Sequence, residues 1–382
     1  FRWLHVIAAI VWIGTSFYFV ALDNHLRPPA DERDVERGVS GESWEIHGGG
    51  FYRIEKFRVA PPRLPEPLHW FKWEAYTTWL SGFALFVVVY YVHASSFLVD
   101  PSVAHLKSWE AIALSVAGLA LAWVVYDGLC RLLGRDERLL ALAVFGFVAL
   151  SAWGASRLFA PRAAYLEVGA MIGTMMVANV FFVIIPAHWE LIRAKEAGRE
   201  PDPRWNLRGK QRSVHNNYLT LPVLFAMLSN HFAFTYEHAH AWLVLVVLMA
   251  LGALARHFFN LRHAGRNAWW IPVTALVGFG VVAYLIRPGS GPAVASGGPA
   301  VPFARANAVI QQRCVPCHSA SPTQPGVGSA PKGVRFDTRA EIESQAQAIL
   351  EQAVVLKVMP LGNVTHMTQP ERDLLARWLR SR

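Results

Sequence analysis

The stretch CVPCH at residues 314–318 decides how the C-terminal part of the chain folds. Two cysteines separated by two residues and followed at once by a histidine form the attachment pattern of a c-type haem. Cys314 and Cys317 would bind the haem vinyl groups, and His318 would lie beneath the iron as its proximal ligand. The alternative is half of a zinc site, but zinc needs further ligands and the remaining cysteine, Cys130, lies in a distant apolar region. The motif therefore predicts a covalently bound haem.

A second iron ligand is expected some tens of residues after the motif, from a loop that covers the other haem face. The candidates are Met359, Met367 and His366. We predict Met359, because it precedes Pro360 and follows a predicted helix over residues 339–357. A histidine and a methionine together raise the reduction potential, which suits electron acceptance rather than oxygen binding.

The residues around this motif form a small domain over residues 303–382. A predicted helix at 303–312 leads into the haem motif, and Thr368 caps a last helix with Pro370 and Glu371 in its first turn. A domain of this size buries little apolar surface, so the haem is expected to supply much of its core. This part resembles a class I cytochrome c domain in its CVPCH motif, its VMP element and its terminal helix.

The composition of the whole chain indicates an integral membrane protein. Of the 382 residues, 53% are hydrophobic and only 16% are charged. The apolar residues fall into long blocks, most of them close to the roughly 20 residues that cross a bilayer as a helix. We predict eight transmembrane helices, at residues 1–22, 76–94, 109–127, 139–157, 166–192, 214–235, 241–259 and 269–286.

Two arguments give the same topology for these segments. Covalent haem attachment takes place on the outer, oxidising side of a bacterial inner membrane, so eight crossings place both ends of the chain outside. When the helix-end residues Arg256 and Arg157 are counted with the loops that they border, the inner loops hold 21 Lys and Arg residues and the outer loops 3, as the positive-inside rule requires. The net charge of +9 therefore reflects topology and gives no sign of a nucleic-acid partner. Because the chain opens at Phe1 within an apolar run, we expect its native N-terminus to be missing.

The predicted architecture is all-α and has three parts. Residues 1–286 form a polytopic helical membrane domain, and residues 303–382 form the small haem domain. The Gly/Pro/Ala/Ser-rich stretch at 287–302 is a linker.

The predicted inner loop at residues 23–75 is too long for a simple connection. It contains GESWEIHGGGFYRIEK at 41–56 and PEPLHWFKWE at 65–74. Its glycines permit a tight backbone path, and its aromatic and basic side chains could clamp a flat anion. The alternative is an ordered cap with interfacial tryptophans.

Histidines inside spanning segments are costly and usually functional. The outer layer contains His5, His93 and His231, with His238 and His240 just beyond. The inner layer contains His188, His215 and His257, together with Asn216, Arg256 and Asn260. Histidines from two helices could hold a haem b in each layer, for which His5 is the first candidate. Otherwise these groups bond a substrate or one another.

The membrane stretches resemble the membrane-bound bacterial urate hydroxylase (urate oxidase) family. The matching elements are RWLHVIAAIVWIGTSFYFVALDNHL, GESWEIHGGGFYRIEKF, LHWFKWEAYTTWLSGF, HNNYLTLPVLFAMLSNHF and RHFFNLRH, within residues 1–286. The fused cytochrome c tail is also a feature of that family.

The resemblance implies oxidation of urate to 5-hydroxyisourate. The electrons would pass to the c-type haem and then to a terminal oxidase or a soluble cytochrome. Urate is a planar anion that cations and aromatic faces can recognise, and its hydroxylation removes two electrons with attack by water. Because one haem accepts one electron at a time, the reaction needs two successive transfers or a second haem as a store.

We predict a substrate pocket in the membrane domain, roofed on the inner side by the loop at 41–74. That loop contributes Glu45, His47, Arg53, Lys56, Lys72 and Glu74. The helices contribute His215, Asn216, Arg256 and His257. The alternative is a pocket on the outer half beneath the cytochrome, near His231.

Two competing functions remain open at this point. A membrane electron-transfer subunit that oxidises quinol, or another redox partner, without binding purine would explain the histidines and the haem domain but not the inner loop. A porphyrinogen-oxidising membrane enzyme is suggested only by the first helix.

Overall fold

The computed structural model describes residues 1–287, 301–325 and 327–381. Long helices form a bundle from residue 2 to residue 285, and a small helical domain begins at residue 303. Most of the predicted linker at 287–302 lies outside the described residues.

The bundle is built from helices that pack around one large apolar core and two smaller clusters. Its long helices are α1 (Arg2–His25), α3 (Trp73–Phe86, continued by a π-helical turn at Val87–Tyr91), α5 (Ser108–Leu133), α6 (Glu137–Leu158), α7 (Pro161–Asn179, continued through a π-helical turn at Val180–Ile184 into α8, Ile185–Glu196), α9 (Pro203–Leu228), α11 (Ala241–His263) and α12 (Trp270–Leu285). Short helices α2 (Glu32–Glu36), α4 (Ala94–Phe97) and α10 (Ala233–Tyr236), with a 3₁₀ turn at Ser229–His231, lie in the connections.

Five of the described helices are long and apolar enough to cross a membrane, counting α7 and α8 as one. They are α1, α5, α6, α7–α8 and α11, whereas α12 is apolar but shorter. Helices α3 and α9 belong to the same bundle, since α3 packs on α1 and α9 packs on α7 and α11. The chain therefore has the character of a membrane protein, and eight crossings remain a prediction.

Helix α9 differs from the segment predicted at residues 214–235. It begins at Pro203, where Asp202 caps it by accepting a hydrogen bond from the backbone N–H of Arg204 at 2.9 Å, and it ends at Leu228. Its first half is rich in Arg, Lys and Gln, so a search for apolar blocks misses it. Pro222 lies inside the helix without ending it.

Small residues let the central helices approach closely, as is common in membrane bundles. A Cβ added at Gly169 of α7 would lie 3.0 Å from the Cβ of Ala226 in α9. A Cβ at Gly252 of α11 would lie 3.3 Å from the Cβ of Leu221. Helix α9 is thus held tightly between α7 and α11.

The predicted inner loop contains a β-hairpin, so the all-α prediction is wrong in this place. Strands β1 (Val39–His47) and β2 (Gly50–Phe57) pair in antiparallel register, with His47 opposite Gly50. The two turn residues are Gly48 (φ +56°) and Gly49 (φ +83°), and a two-residue type I′ turn requires positive φ at both positions. The run of glycines that permits a tight path is therefore a hairpin turn.

The small domain has its own core of buried apolar side chains. Its helices are α13 (Phe303–Arg313), α14 (Arg339–Ser344), α15 (Ala346–Ile349, continued by a π-helical turn at Leu350–Val355) and α16 (Gln369–Arg380), with 3₁₀ turns at Pro331–Gly333 and Leu361–Asn363.

Two predicted helices of this domain are confirmed and one is wrong in its extent. The first, α13, ends one residue beyond the predicted Gln312. The last, α16, is capped by Thr368, whose hydroxyl accepts from the N–H of Glu371 at 3.4 Å, while the N–H of Thr368 donates to the Glu371 carboxylate at 2.6 Å. The single helix predicted over 339–357 is interrupted at Gln345 and ends at Val355.

Candidate functional site

The CVPCH motif follows directly from the C-terminus of α13. Cys314 and Cys317 are thiols that form no disulfide, and burial raises the pKa of Cys314 to about 12. The imidazole Nδ1 of His318 lies 3.0 Å from the backbone carbonyl oxygen of Val334 and donates to it. With that nitrogen engaged, Nε2 is left as the atom that would bind the predicted haem iron, as in other metal sites with an oriented imidazole.

These residues fit a covalently bound haem better than a zinc ion. Two neutral thiols next to an oriented imidazole are the groups that the attachment chemistry uses. A zinc site needs about four clustered ligands. Over the described parts of the chain, no group of three or more His, Cys, Asp and Glu side chains could hold a metal ion.

The predicted distal side chain packs within the same domain. Met359 is partly buried against the domain core, and its carbonyl oxygen accepts a hydrogen bond from Nη1 of Arg372 at 2.7 Å. Met367 is only 3% exposed, whereas His366 is exposed to solvent. Met359 remains the predicted ligand, and the exposure of His366 counts against that candidate.

Residues on both sides of Met359 dock onto the helical bundle. Val358 packs against the main core of the helical bundle. Gly362 has φ +59°, and a Cβ added there would lie 2.3 Å from the backbone oxygen of Ser96, close to the end of α4. The predicted haem domain therefore meets the bundle through the segment beside its predicted distal ligand.

This contact encloses a cavity of about 280 Å³, which we call the interface cavity. Its polar lining comes from both domains and includes Ser96, Asp100, Arg162, Glu237, Lys357 and Arg372. A second cavity of about 370 Å³ lies beside it and shares Pro161, Tyr236 and Glu237 with it. Both lie at the end of the bundle where the small domain docks, which is the predicted outer side.

At the opposite end of the bundle, four consecutive residues of α9, His215 to Tyr218, face three neighbouring helices. His215 Nδ1 lies 2.8 Å from the hydroxyl oxygen of Tyr126 in α5. The amide of Asn179 in α7 donates to that same hydroxyl at 3.0 Å, so the phenolic proton is left for His215. The network predicts a neutral His215.

The remaining members of this network also bond one another. Asn179 donates to Asn216 Oδ1 at 2.8 Å, and Asn216 donates to the carbonyl of Met176 at 2.9 Å. Arg212 pairs with Asp127 at 2.7 Å. We call this group the inner network, defined by Tyr126, Asp127, Asn179, Arg212, His215 and Asn216. Its polar groups are used in joining helices.

A second group of polar side chains joins α9 to α11, and some of its buried polar atoms have no hydrogen-bond partner among the described residues. Nε of Arg256 and Nδ2 of Asn260 both donate to Asn217 Oδ1 at 2.9 Å. The Arg256 guanidinium also lies 3.9 Å from the ring centre of Phe17 in α1. Among the described residues, Nδ2 of Asn217, Nη2 of Arg256 and Oδ1 of Asn260 are buried without a hydrogen-bond partner. His257 stands apart from them, bonded to the Tyr218 hydroxyl at 2.7 Å.

Most of the loop residues predicted to roof an inner pocket have partners elsewhere, but Glu74 keeps a buried Oε2 that has no hydrogen-bond partner among the described residues. Lys72 lies over Trp70, 5.0 Å from its ring centre, and Glu74 is partly buried at the start of α3. In the described ranges, no hydrogen bond or ion pair joins Lys72 or Glu74 to His215, Asn216, Arg256 or His257. In the hairpin, the Glu45 carboxylate accepts a hydrogen bond from the Tyr18 hydroxyl at 2.7 Å, and His47 is exposed. The two basic residues of the hairpin form ion pairs: Arg53 with Asp34 and Glu42, and Lys56 with Asp23.

The predicted histidine layers are only partly assembled. His5 Nδ1 lies 3.0 Å from the carbonyl oxygen of Thr78 in α3, and the ring packs so closely that a Cβ at Gly82 would lie 2.7 Å from it. His231 lies in an exposed turn. Where the chain is described, no hydrogen bond or ring contact joins His231 to His5. The histidines that do meet from different helices are His25 and His263, with ring centres 4.8 Å apart.

Sequence reasoning missed a buried carboxyl group in the bundle. Glu167 of α7 is 5% exposed and accepts from the Ser115 hydroxyl at 2.7 Å, and that hydroxyl in turn lies 2.7 Å from the Tyr91 hydroxyl. The signal was present, because a carboxyl within an apolar segment is rare. Arg162 and Glu237 of the interface cavity were missed for another reason, since Arg162 lies in the first turn of α7 and Glu237 directly follows the short helix α10, and neither belongs to a motif.

Comparison with known proteins gives a family for the membrane domain. The model of the family described as "Urate oxidase N-terminal" matches residues 1–287, which is most of the chain and the whole of the bundle. No curated protein and no solved structure matches the chain. The match supports a urate-related oxidase, and the chain belongs to the Urate oxidase N-terminal family.

Proposed function

We propose that this protein is a membrane-bound urate oxidase that converts urate to 5-hydroxyisourate. In this proposal the electrons pass to the protein's own c-type haem and then to the respiratory chain. The observation that carries it is the docking of the CVPCH domain onto the family domain through Val358 and Gly362. That contact supports the proposal, because it would place the electron acceptor directly against the oxidase domain.

The residues of the small domain support the acceptor role. Cys314 and Cys317 would fix the haem covalently, and the Val334 carbonyl would orient His318 toward the iron. Arg372 holds the backbone at Met359 through its carbonyl oxygen, which would position the predicted distal sulfur. When bound, such a haem supplies a one-electron acceptor of raised potential.

The balance of the reaction sets what the protein has to provide. Urate and one water yield 5-hydroxyisourate, two electrons and two protons. The chain must therefore bind a planar anion, accept protons and lead two electrons out one after the other. A haem b near His5 remains a proposal, and the bond from His5 to Thr78 would suit an oriented ligand.

The test is to add urate anaerobically to the purified, oxidised protein and to follow the haem absorption bands. We expect reduction by urate, and we expect the haem to stay bound after denaturation. Replacing Cys314 and Cys317 by Ala should remove the covalent haem, whereas Cys130→Ala should keep it because Cys130 lies in the bundle.

The competing function makes a different prediction in the same experiment. A subunit that oxidises quinol without binding purine would show haem reduction by a quinol and none by urate. Reduction by quinol alone would therefore contradict the proposal.

A further inference from the structure

The interface cavity has the size and position of a small-molecule site. Its volume of about 280 Å³ is close to the lower end of ligand pockets, which begin at about 300 Å³. It lies between the segment Lys357–Asn363 and the outer ends of the bundle helices, and the adjoining cavity contacts it at Tyr236 and Glu237. A bicyclic purine suits this space better than a larger ligand does.

The charges around the cavity favour a small anion. Arg162, Lys357 and Arg372 supply three positive charges, against the carboxyl groups of Asp100 and Glu237. Arg162 uses Nε to donate to Asn230 at 2.7 Å, which fixes the direction of its guanidinium. Planar guanidinium groups recognise planar anions well.

Glu237 is suited to take up a proton at this place. Burial raises its pKa to about 8, although Arg372 and Lys357 act in the opposite direction. A general base works best when its pKa lies near the working pH. Glu237 also borders both cavities, so a proton that it accepts can leave through the second cavity.

The cavity is next to the predicted electron acceptor, whereas the inner polar groups are far from it. Arg372 lines the cavity and bonds the carbonyl oxygen of Met359. Asn179 of the inner network lies 18 residues beyond Pro161 along α7, about 27 Å at 1.5 Å per residue. Oxidation in the interface cavity needs no relay through the bundle.

We propose that the interface cavity is the urate-binding site, in which Arg162 and Arg372 hold the purine anion and Glu237 accepts a proton. This inference rests on the proposed function. Water adds its oxygen to C5 of urate, and two electrons leave one at a time across the Met359 side of the small domain. One of the two protons goes to Glu237 and the other goes to solvent.

The first experiment tests from which side of the membrane urate reaches its binding site. The complete protein is reconstituted in sealed vesicles, and the molecules with the small domain outside are identified by their reaction with external ferricyanide. Urate added outside should reduce the haem of these molecules, and urate trapped inside should not. Reduction by trapped urate alone would overturn the inference and leave the proposed function intact, whereas reduction from neither side would contradict both.

The second experiment measures binding without turnover. In dithionite-reduced protein no electron can leave urate, so equilibrium dialysis with labelled urate reports affinity alone. Arg162→Gln should weaken binding roughly tenfold or more, because a charge-assisted hydrogen bond is lost. Lys107→Gln is the control, since it removes the same charge from the outer surface away from the cavity.

A third variant separates binding from proton uptake. Glu237→Gln should bind urate with nearly unchanged affinity and reduce its haem much more slowly, while reduction by dithionite stays normal. Unchanged urate binding in Arg162→Gln, or an unchanged rate in Glu237→Gln, would contradict the assignment of these residues.

Discussion

At the predicted inner end of the bundle polar side chains bond one another, whereas at the predicted outer end they line cavities. In the inner network, His215 and Asn216 form hydrogen bonds with Tyr126 and Asn179. These hydrogen bonds join α5, α7 and α9 to one another. The interface cavity instead keeps charged groups of two domains around a space. A polar side chain in a bundle is therefore not evidence of a binding site until its partners are known.

The inner end has one exception that sharpens this comparison. Arg256, Asn217 and Asn260 are buried with one polar atom each that lacks a partner among the described residues. Two donors and one acceptor could hold a water or one edge of a purine. This group and the unpartnered Oε2 of Glu74 at the start of α3 are what remains of the predicted inner pocket, and the vesicle experiment distinguishes them from the outer cavity.

The largest expected effect comes from separating the two domains at the contact between Gly362 and Ser96. In Gly362→Ala the new Cβ would meet the Ser96 carbonyl oxygen at 2.3 Å, so the docking segment must move. We expect urate-dependent haem reduction to fall at least tenfold, while haem content and reduction by dithionite stay unchanged.

Gly333→Ala is the matched control for this variant. Gly333 also lies in a 3₁₀ turn of the small domain with positive φ (+70°), but nothing lies within 4 Å of a Cβ placed there. Gly333→Ala therefore introduces the same kind of backbone strain as Gly362→Ala, but it does not disturb the contact between the two domains. Equal losses in both variants would mean that strain in the small domain, and not docking, causes the effect.

The second effect is a pH dependence of the urate reaction. Because the pKa of Glu237 is raised to about 8, the carboxyl group is mostly protonated at pH 7 and ionises as the pH rises through that value. The charged groups that act on it are Arg372, Asp100 and Lys357. If the ionised form accepts the proton, the rate should rise with pH, level off above about pH 8 and fall roughly tenfold per unit well below it.

The Glu237→Gln variant provides the comparison for this profile. Its rate of urate-dependent reduction should be low and flat over the same range. A wild-type profile that is flat, or that falls with rising pH, would contradict the role of this carboxylate.

A smaller effect is expected at the inner network, and it concerns stability. His215→Ala leaves the buried Tyr126 hydroxyl without its acceptor, which should lower the free energy of unfolding by about 1–3 kcal/mol. Thermal melting in detergent measures this loss. Urate-dependent reduction should stay within about threefold of the wild type, whereas the inner-pocket prediction requires its suppression.

The smallest effect is expected in the hairpin. Gly49→Ala places a side chain at φ +83° and should cost about 1 kcal/mol of local stability. Gly50→Ala is the control, because that residue lies in the strand and has open space around its Cβ position. Faster hydrogen exchange confined to β1 and β2 in Gly49→Ala, with unchanged urate oxidation, would agree with a structural cap. Loss of activity in Gly49→Ala alone would instead place function in the hairpin.

The sequence by itself determined those features that depend on neighbouring residues. The apolar blocks predicted the positions of the bundle helices, and Thr368 with Glu371 predicted the start of α16. The spacing of CVPCH likewise predicts a haem attachment site, and that site stays a prediction. Local patterns also failed where two signals competed. The hairpin was missed because its strands lie in a polar loop, and the first half of α9 was missed because it is too polar to resemble a membrane segment.

Only the tertiary structure decided which polar residues share a site. His215 and Arg256 look equally suited to a substrate in the sequence, but the first bonds within the inner network and the second keeps an unpartnered nitrogen. Arg162, Glu237 and Arg372 are far apart in the chain and form no motif. Arg162 and Glu237 belong to the bundle, and Arg372 joins them only because the small domain docks at Gly362. Helix formation follows from residues a few positions apart. A cavity between domains depends on how whole surfaces fit, and no single stretch of sequence encodes that fit.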